Sequence, residues 1–567
     1  MKEKKNEKVK LWDSVPGFDF NQEVDVPELH SWFLDGSHSF PRFTPMFSWF
    51  WIRYCAYGGQ YGAEMMSLPR SKSWTLREFE GGSYIGNHII RDEAEIEKRT
   101  PKFREAMVPW IEDFDGKWEG FKKELLSMYK PLEDVDLDKA TSIDLMHLLW
   151  DLINMYRRMW EIHFLVMYPS FCAFNLLEEY LPRFGITSQS PEFHKMLRGF
   201  DNLVFQTDKQ LWDLAQDAIE GGIDDVFRNN EGDDILAKLE ETSAGRKWKK
   251  TFQEFLNKNG WRMVRMCDFN EPYWLEQPSA AISIIQNFIV KGVDHNLDKI
   301  RVNLVEEREK TIEELMLKVP SDEKEWVQAL INLGQKASAV SEEHDLYCEL
   351  HAHAVIRRSL LGIGRRLAQA GTIDKSDDIF FLNPDEVEMV MLAPEFHKLQ
   401  YIVNRRRPQW EELRYEQPPP VFTDRSSMEE AIGMDLAAAA EPIIMHVAGL
   451  EMPEPRPELE ADIRGVSSSP GIAEGLARVI MNYDQLKEVQ QGEILVCPIT
   501  NPAWTPIFGL VKAVVTDRGG LLSHAAIVGR EYGIPTIVNT FTATSTIKTG
   551  QRIRVDATNG AIFLLDK

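Results

Sequence analysis

Paired cysteines are missing from this chain. Its five cysteines, Cys55, Cys172, Cys267, Cys348 and Cys497, are scattered with no CxxC spacing. An odd number without a framework fits a reducing compartment and no structural zinc. Positive charge is also scarce: the formal net charge is -24. That excludes sequence-independent binding to nucleic acid or to an anionic membrane, both of which need a basic surface. Long apolar runs are absent as well. The most apolar stretch, HFLVMYPSFCAFNLL (163–177), carries His, Pro, Ser and Asn and is too short to span a bilayer. The opening MKEKKNEKVK is charged, and no apolar signal core follows it. We therefore expect a cytoplasmic protein with no nucleic-acid and no membrane partner. Neither an internal repeat nor a low-complexity tract is found. No GxxxxGK[ST] or GxGxxG phosphate loop is found either; GGQYG (58–62) and GGSYIG (81–86) lack that spacing and are expected to be turns.

What is there divides by texture. At 567 residues the chain exceeds one core and calls for several domains. Residues 25–100 are rich in aromatics and glycine, and residues 105–360 read as long amphipathic helices. MHLLWDLINMYRRMWEIHFLVM (146–167) has Leu149, Leu152, Ile153, Tyr156 and Trp160 at helical spacing. Pro169 and the Phe184-Gly185 loop are expected to end that region. A further helix is predicted from about 341 to 370, with Ser341 as N-cap and Gly371 beyond its end. EQPPPVF (416–422) is expected to be extended. LEMPEPRPELEADIRG (450–465) reads as a semi-rigid linker that can span ~40 Å.

After the linker, short β-type runs appear at 476–481, 493–499, 512–517, 535–540, 552–557 and 561–565, with helical stretches at 483–490, 502–510 and 523–533. The expected fold is therefore multidomain: a mainly α-helical substrate-binding region followed by a compact C-terminal α/β domain. Its parts are an aromatic-rich segment 1–100, a helical domain 101–449, a linker 450–462 and the α/β domain 463–567.

One histidine stands out, in TDRGGLLSHAAIVGREYGIPTIV. A strand ends at Thr516-Asp517; Arg518, Gly519 and Gly520 follow, and a helix starts near Ser523. Glycines let backbone approach a ligand closely, and a helix N-terminus offers free N–H groups and positive partial charge. Together they form an anion site. His524 inside it is a competent nucleophile. Once phosphorylated, it would be held by those N–H groups, by the Thr516 or Ser523 hydroxyls and by Arg518. No HxxE, HExxH or carboxylate cluster accompanies it, so no metal is expected there.

This stretch, with SSSPGIAEGLARVI (467–480) before it and GQRIRVDATNGAIFLL (550–565) after it, resembles the phosphohistidine "swivelling" domain of the phosphoenolpyruvate-utilising enzymes. The resemblance implies that His524 accepts a phosphoryl group at one active site and delivers it at another. FLNKNGWRMVRMCDFNEPYWLEQPS (255–279) and residues 341–387 resemble, more loosely, the substrate domain of the rifampin phosphotransferases. Many of those relatives carry a histidine where this chain has Gly260-Trp261-Arg262. The layout, without an ATP-grasp segment ahead of the helices or a barrel after Lys567, is most similar to the histidine subunit of the phenylphosphate synthases. The resemblance therefore implies a separate ATP-grasp subunit holding ATP and Mg2+, and transfer of the β-phosphoryl of ATP to the hydroxyl of a small hydrophobic or aromatic alcohol, of phenol or benzyl-alcohol type. AMP and phosphate are the other products it implies.

Phosphoryl transfer needs neutralised charge and a group to take the hydroxyl proton. On the helix 341–370, His344, Cys348, His351, Val355, Arg358, Gly362, Arg365 and Gln369 share one face, and Glu349, His353, Arg357 and Gly364 share the adjacent one. Arg358, Arg365, Arg366, His351, His353 and Glu349 are the candidate phosphoryl and acceptor residues. A solvated face with ordinary i,i+4 pairs is the alternative. Among the N-terminal aromatics, Phe47 and Trp51 are candidate pocket walls, with His38 set among them beside Asp35, Arg42 and Arg53; core packing is the alternative. Two other functions fit the histidine: transfer to an antibiotic or another natural product, or a phosphohistidine relay without small-molecule turnover.

Overall fold

The structure, a computed structural model, describes residues 31–35, 38, 41–414, 416, 421–423, 453 and 459–566, save 80–81, 201–202, 265–267, 292–296 and 501–503; of the first thirty residues only Lys8–Lys10 and Glu23–Asp25 are described. Two compact units emerge. One comprises residues 1–169, 267–270 and 347–445; the other comprises 170–266, 271–346 and 446–567. The stretch 101–449 thus contributes to both, so it is not the single helical domain expected. Long helices gather the chain by packing partner rather than by sequence order. Most of the expected linker (450–452 and 454–458) lies outside the described residues. Among the described residues no helix is long and apolar enough to cross a membrane.

The first unit is built on helices Pro45–Met65, Glu93–Glu112, Phe114–Glu133 and His351–Gln369, with the larger part of the helix Ser142–Tyr180. A four-stranded antiparallel sheet that the aromatic-rich texture concealed lies among them, in the order Ser71–Phe79, Gly82–Ile89, Ser31–Leu34, Val421–Thr423. Its last pairing joins Phe33 to Val421, residues far apart in sequence.

GGQYG is not a turn. Gly58, Gly59 and Gly62 lie inside the helix Pro45–Met65. A Cβ at Gly58 would come 2.6 Å from the Trp160 carbonyl oxygen, and one at Gly62 would come 2.8 Å from Phe164 Cβ. The glycines make a flat stripe at i, i+4 against which the neighbouring helix seats. GGSYIG likewise enters a strand, Gly82–Ile89.

Two helix limits also differ from expectation. Pro169 lies within Ser142–Tyr180; the helix ends at Tyr180, and Gly185 then takes a left-handed φ of 78°. Ser341 is no N-cap. It is buried inside Lys324–Asp345 and its hydroxyl donates to the Ala337 carbonyl at 2.9 Å, the back-bond that lets serine sit in a helix interior. A π-turn, Leu346–Leu350, then leads into His351–Gln369, with Gly371 at φ 70° beyond its end as expected.

The second unit holds the expected α/β fold. All six predicted β-runs form strands of one eight-stranded sheet. At its centre Ile472–Val479, Ile494–Cys497, Ala513–Thr516 and Thr536–Val538 run parallel, while Arg552–Asp556, Ala561–Leu564, Ile463–Arg464 and Val466–Ser469 add antiparallel at the margins. Ile494–Cys497, Ala513–Thr516 and Thr536–Val538 are buried along their whole length, as parallel strands covered on both faces are.

Candidate functional site

In open sheets of this kind ligands bind beyond the carboxyl ends of the parallel strands. Ala513–Thr516 ends there, and after seven intervening residues, 517–523, the chain becomes the helix His524–Tyr532. Gly519 has φ 115°, and a Cβ on it would sit 2.8 Å from Ser523 Oγ. Glycine is required on both counts. At the far end, a Cβ on Gly529 would meet Thr536 Oγ1, so the helix lies hard against the sheet.

His524 is buried at the first helical position. Thr500 Oγ1 lies 2.9 Å from its Nδ1, and Thr505 Oγ1 lies 3.1 Å from its Nε2. Phe508 stands edge-on to the ring at 5.9 Å. Both threonines flank the connection that leaves the adjacent strand, Ile494–Cys497, whose Cys497 pairs in register with Thr516. Burial, and then the Arg262 guanidinium, depress the imidazole to a pKa of about 3. At neutral pH it is therefore uncharged, with one nitrogen carrying a lone pair. One threonine hydroxyl must accept from the ring N–H while the other donates to the bare nitrogen.

The expected cradle is partly redistributed. Ser523 Oγ is buried without a hydrogen-bond partner among the described residues and faces Gly519. Thr516 instead gives its hydroxyl to the Arg518 carbonyl at 2.7 Å. It braces the turn and does not point its hydroxyl at a ligand, because a strand-end side chain this deeply buried must satisfy its own oxygen locally. The Arg518 N–H donates to the Pro498 carbonyl at 3.0 Å, and the Gly520 carbonyl accepts from Ser523 N–H at 3.0 Å. These bonds tie the glycine loop to the loop carrying Thr500.

The same helix is anchored at its other end within this unit. The Glu531 carboxylate accepts from the Gly199 and Phe200 amides, both at 3.0 Å. Burial raises it to a pKa of about 7. Tyr532 donates to Asp208. Arg530, fully buried, donates to the Leu521 carbonyl at 2.9 Å.

In the first unit five of the expected residues come together: His38, Phe47, Trp51, Glu349 and His353. His38 Nδ1 contacts both Asp35 carboxylate oxygens, at 2.8 and 2.9 Å. His38 stacks at a tilt on Trp51, 4.6 Å between centroids, and Trp51 stacks on Phe47 at 5.5 Å. His38 Nε2 is 3.9 Å from Glu349 Oε2, and His163 Nδ1 is 3.9 Å from Glu349 Oε1. His353 stands edge-on to Phe47 and Phe269, and its Nε2 is 3.3 Å from the Tyr156 hydroxyl. Burial, then the nearby His38, lowers His353 to a pKa of about 3.

The remaining candidates go elsewhere. His351 pairs with Glu133 at 2.7 Å. Arg358 donates to the Val135 carbonyl at 3.0 Å, Arg366 to Ser142 Oγ at 3.1 Å, and exposed Arg365 lies 3.6 Å from Asp138. These four fasten the Glu133–Ser142 connection. The adjacent face, Glu349, His353, Arg357 and Gly364, is buried throughout, whereas on the first face His344, Cys348, Val355 and Gly362 are buried and Arg365 is exposed. Arg357 serves structure there, donating to the Phe269 carbonyl at 2.9 Å. Sequence reasoning missed Thr500, Thr505 and the proximity of Arg262; the only signal was a pair of threonines bracketing NPAW after a strand.

Two family models match this geometry. Residues 489–560 match the mobile domain of the PEP-utilising enzymes, and residues 158–342 match the fourth domain of rifampicin phosphotransferase. The chain is thus a relative of the PEP-utilising enzymes and carries their mobile domain. Among curated relatives, the uncharacterized phosphotransferase YvkC of Bacillus subtilis is 32% identical over 78% of this chain and 52% of its own length. The rifampicin phosphotransferase of Bacillus cereus is 30% identical over 59% of this chain and 36% of its own length. A phosphoenolpyruvate synthase of Aeropyrum pernix is 42% identical over 19% of this chain and 13% of its own length. The chain therefore spans about half or less of the length of these relatives.

Proposed function

We propose that this chain is the transfer component of an ATP-dependent, dikinase-type phosphotransferase. His524 carries the β-phosphoryl of ATP to the hydroxyl of a small hydrophobic alcohol, phenol or benzyl alcohol in type. The observation that carries this reading is a neutral imidazole at a helix N-terminus, clasped by two threonines. A histidine must be uncharged to attack phosphorus, and the product needs the donors that surround it. The charging reaction belongs to an ATP-grasp subunit that holds ATP and Mg2+ outside these 567 residues, in the cytoplasm. The acceptor class is supported by the aromatic walls around His38.

A natural-product acceptor is the second reading, favoured by the similarity of residues 158–342 to a rifampicin phosphotransferase domain. The test is labelling with the charging subunit present. Label from the β-position of ATP should enter the protein, label from the γ-position should leave as phosphate, and His524→Ala should take up neither. Retention of label by that variant would sink the proposal. Panels of phenols, benzyl alcohols and polyketide antibiotics then separate the two acceptor readings.

A further inference from the structure

Buried charge inside an aromatic cluster is costly unless something needs it. In the first unit Asp35 and Glu349 are both buried, at 8% and 2% exposure, and both lie close enough to Cys55 to act on its thiol. Between them stands His38, whose side chain keeps 23% of its surface exposed. Trp51, Phe47, Phe269, Tyr156 and Trp160 surround this group. Beside it, His353 is fully buried, and its Nδ1 has no hydrogen-bond partner among the described residues.

The contacts of His38 define its chemistry. Its Nδ1 bridges both oxygens of Asp35, and a carboxylate can only accept. Nδ1 therefore carries a proton, and when the ring is neutral Nε2, the nitrogen on the Glu349 side, is the one that takes up the second. This is the carboxylate–imidazole arrangement that fixes a histidine in one tautomer and stabilises its protonated form. Glu349 sits in the π-turn Leu346–Leu350, a distortion often found at functional sites. The turn is what brings a carboxylate of one helix into line with His163 from another.

We propose that His38 is the general base for the acceptor, a catalytic residue oriented by Asp35. The inference rests on the hydroxyl acceptor proposed above. In the step, the acceptor oxygen forms a bond to phosphorus, and the phosphorus–nitrogen bond of phospho-His524 breaks with its electron pair returning to the imidazole. The hydroxyl proton passes to His38 Nε2. The imidazolium so formed lies between Asp35 and Glu349; His163, His353, Cys55 and Tyr156 are further titratable groups of this cluster among the described residues.

The test is single-turnover transfer to phenol and benzyl alcohol from full-length protein whose His524 has been loaded by its charging partner or chemically with phosphoramidate. His38→Gln should slow ester formation by about 10²–10⁴-fold, the usual worth of a general base. Loading of His524 should be unaffected, and phenol should still bind, followed by equilibrium dialysis. A variant that transfers within about threefold of wild type, well short of that range, overturns the inference and leaves the proposed function standing. If loaded wild-type protein gives no ester with any hydroxyl probe, the acceptor reading falls and this inference with it. Asp35→Asn supplies a second measurement that does not require a dead enzyme. Losing the carboxylate should move the acidic limb of the wild-type pH–rate profile to lower pH; a limb that stays in place overturns the proposal.

Discussion

Replacing either threonine that clasps His524 by valine removes one hydrogen bond and keeps the shape. Each bond is worth about 1 kcal/mol, or roughly fivefold in a rate. The two replacements should act in opposite directions on loading. The nitrogen that attacks phosphorus must first shed its threonine, so removing that hydroxyl speeds loading, while removing the other loosens the ring and slows it. Comparing loading rates of Thr500→Val and Thr505→Val therefore identifies the attacking nitrogen, and equal rates would show that neither clasp orients the ring. His524 itself was legible in the sequence because glycine, helix start and histidine occur within a few residues. The threonines were not, since they arrive from the neighbouring strand and only parallel pairing of Cys497 with Thr516 brings them alongside. His38 and Glu349 were named separately from two distant stretches; their meeting depends on a π-turn that no periodicity announces.

At the scale of elements, glycine positions carry the sharpest expectations. Gly519→Ala forces a residue with a Cβ to φ 115° and drives that Cβ against Ser523 Oγ. Strain of this kind costs on the order of 1–3 kcal/mol, and it falls on the loop that presents the helix N-terminus. Loading should slow while the remaining sheet melts normally, as measured by label uptake and by circular dichroism. Gly62→Leu should instead leave loading intact and lower stability by roughly 1–3 kcal/mol, because the helix Ser142–Tyr180 fills that space at Phe164. GGQYG was misread from sequence for a physical reason. Clustered glycines usually mark a turn, yet here a glycine stripe permits two helices to touch, and only the partner helix reveals it. The strands after residue 463 were readable because short, continuous apolar runs bounded by turn residues have few other solutions. The four-stranded sheet was not, because its closing strand, Val421–Thr423, comes from the far side of the helical region.

At the scale of the whole molecule, two buried groups on one helix make stability respond to pH with opposite signs. His524 is held at a pKa of about 3, below its ordinary value, so its contribution is present above about pH 6.5 and is lost as pH falls toward 3. Glu531 is held at about 7, above its ordinary value. Its contribution is present below about pH 4.5 and is lost as pH rises through 7. Between these limits the two slopes oppose each other. Glu531→Gln removes the descending one, so the melting temperature of the variant should climb more steeply between pH 5 and 6.5 than that of wild type, read by calorimetry. A parallel dependence would mean that Glu531 is not desolvated against the Gly199 and Phe200 amides in solution.

The clasp around His524 also gives the protein a gauge of its own cargo. Its two threonines come from the chain that follows one strand and the histidine from the helix that follows the next, so a phosphoryl group on the ring must break at least one stitch between them. Backbone amides of Ile499, Thr500, Trp504, Thr505, Ile507 and Phe508 should then exchange with deuterium faster in loaded protein than in unloaded protein. The occupancy of the carrier becomes readable as local stiffness, without following the phosphorus at all.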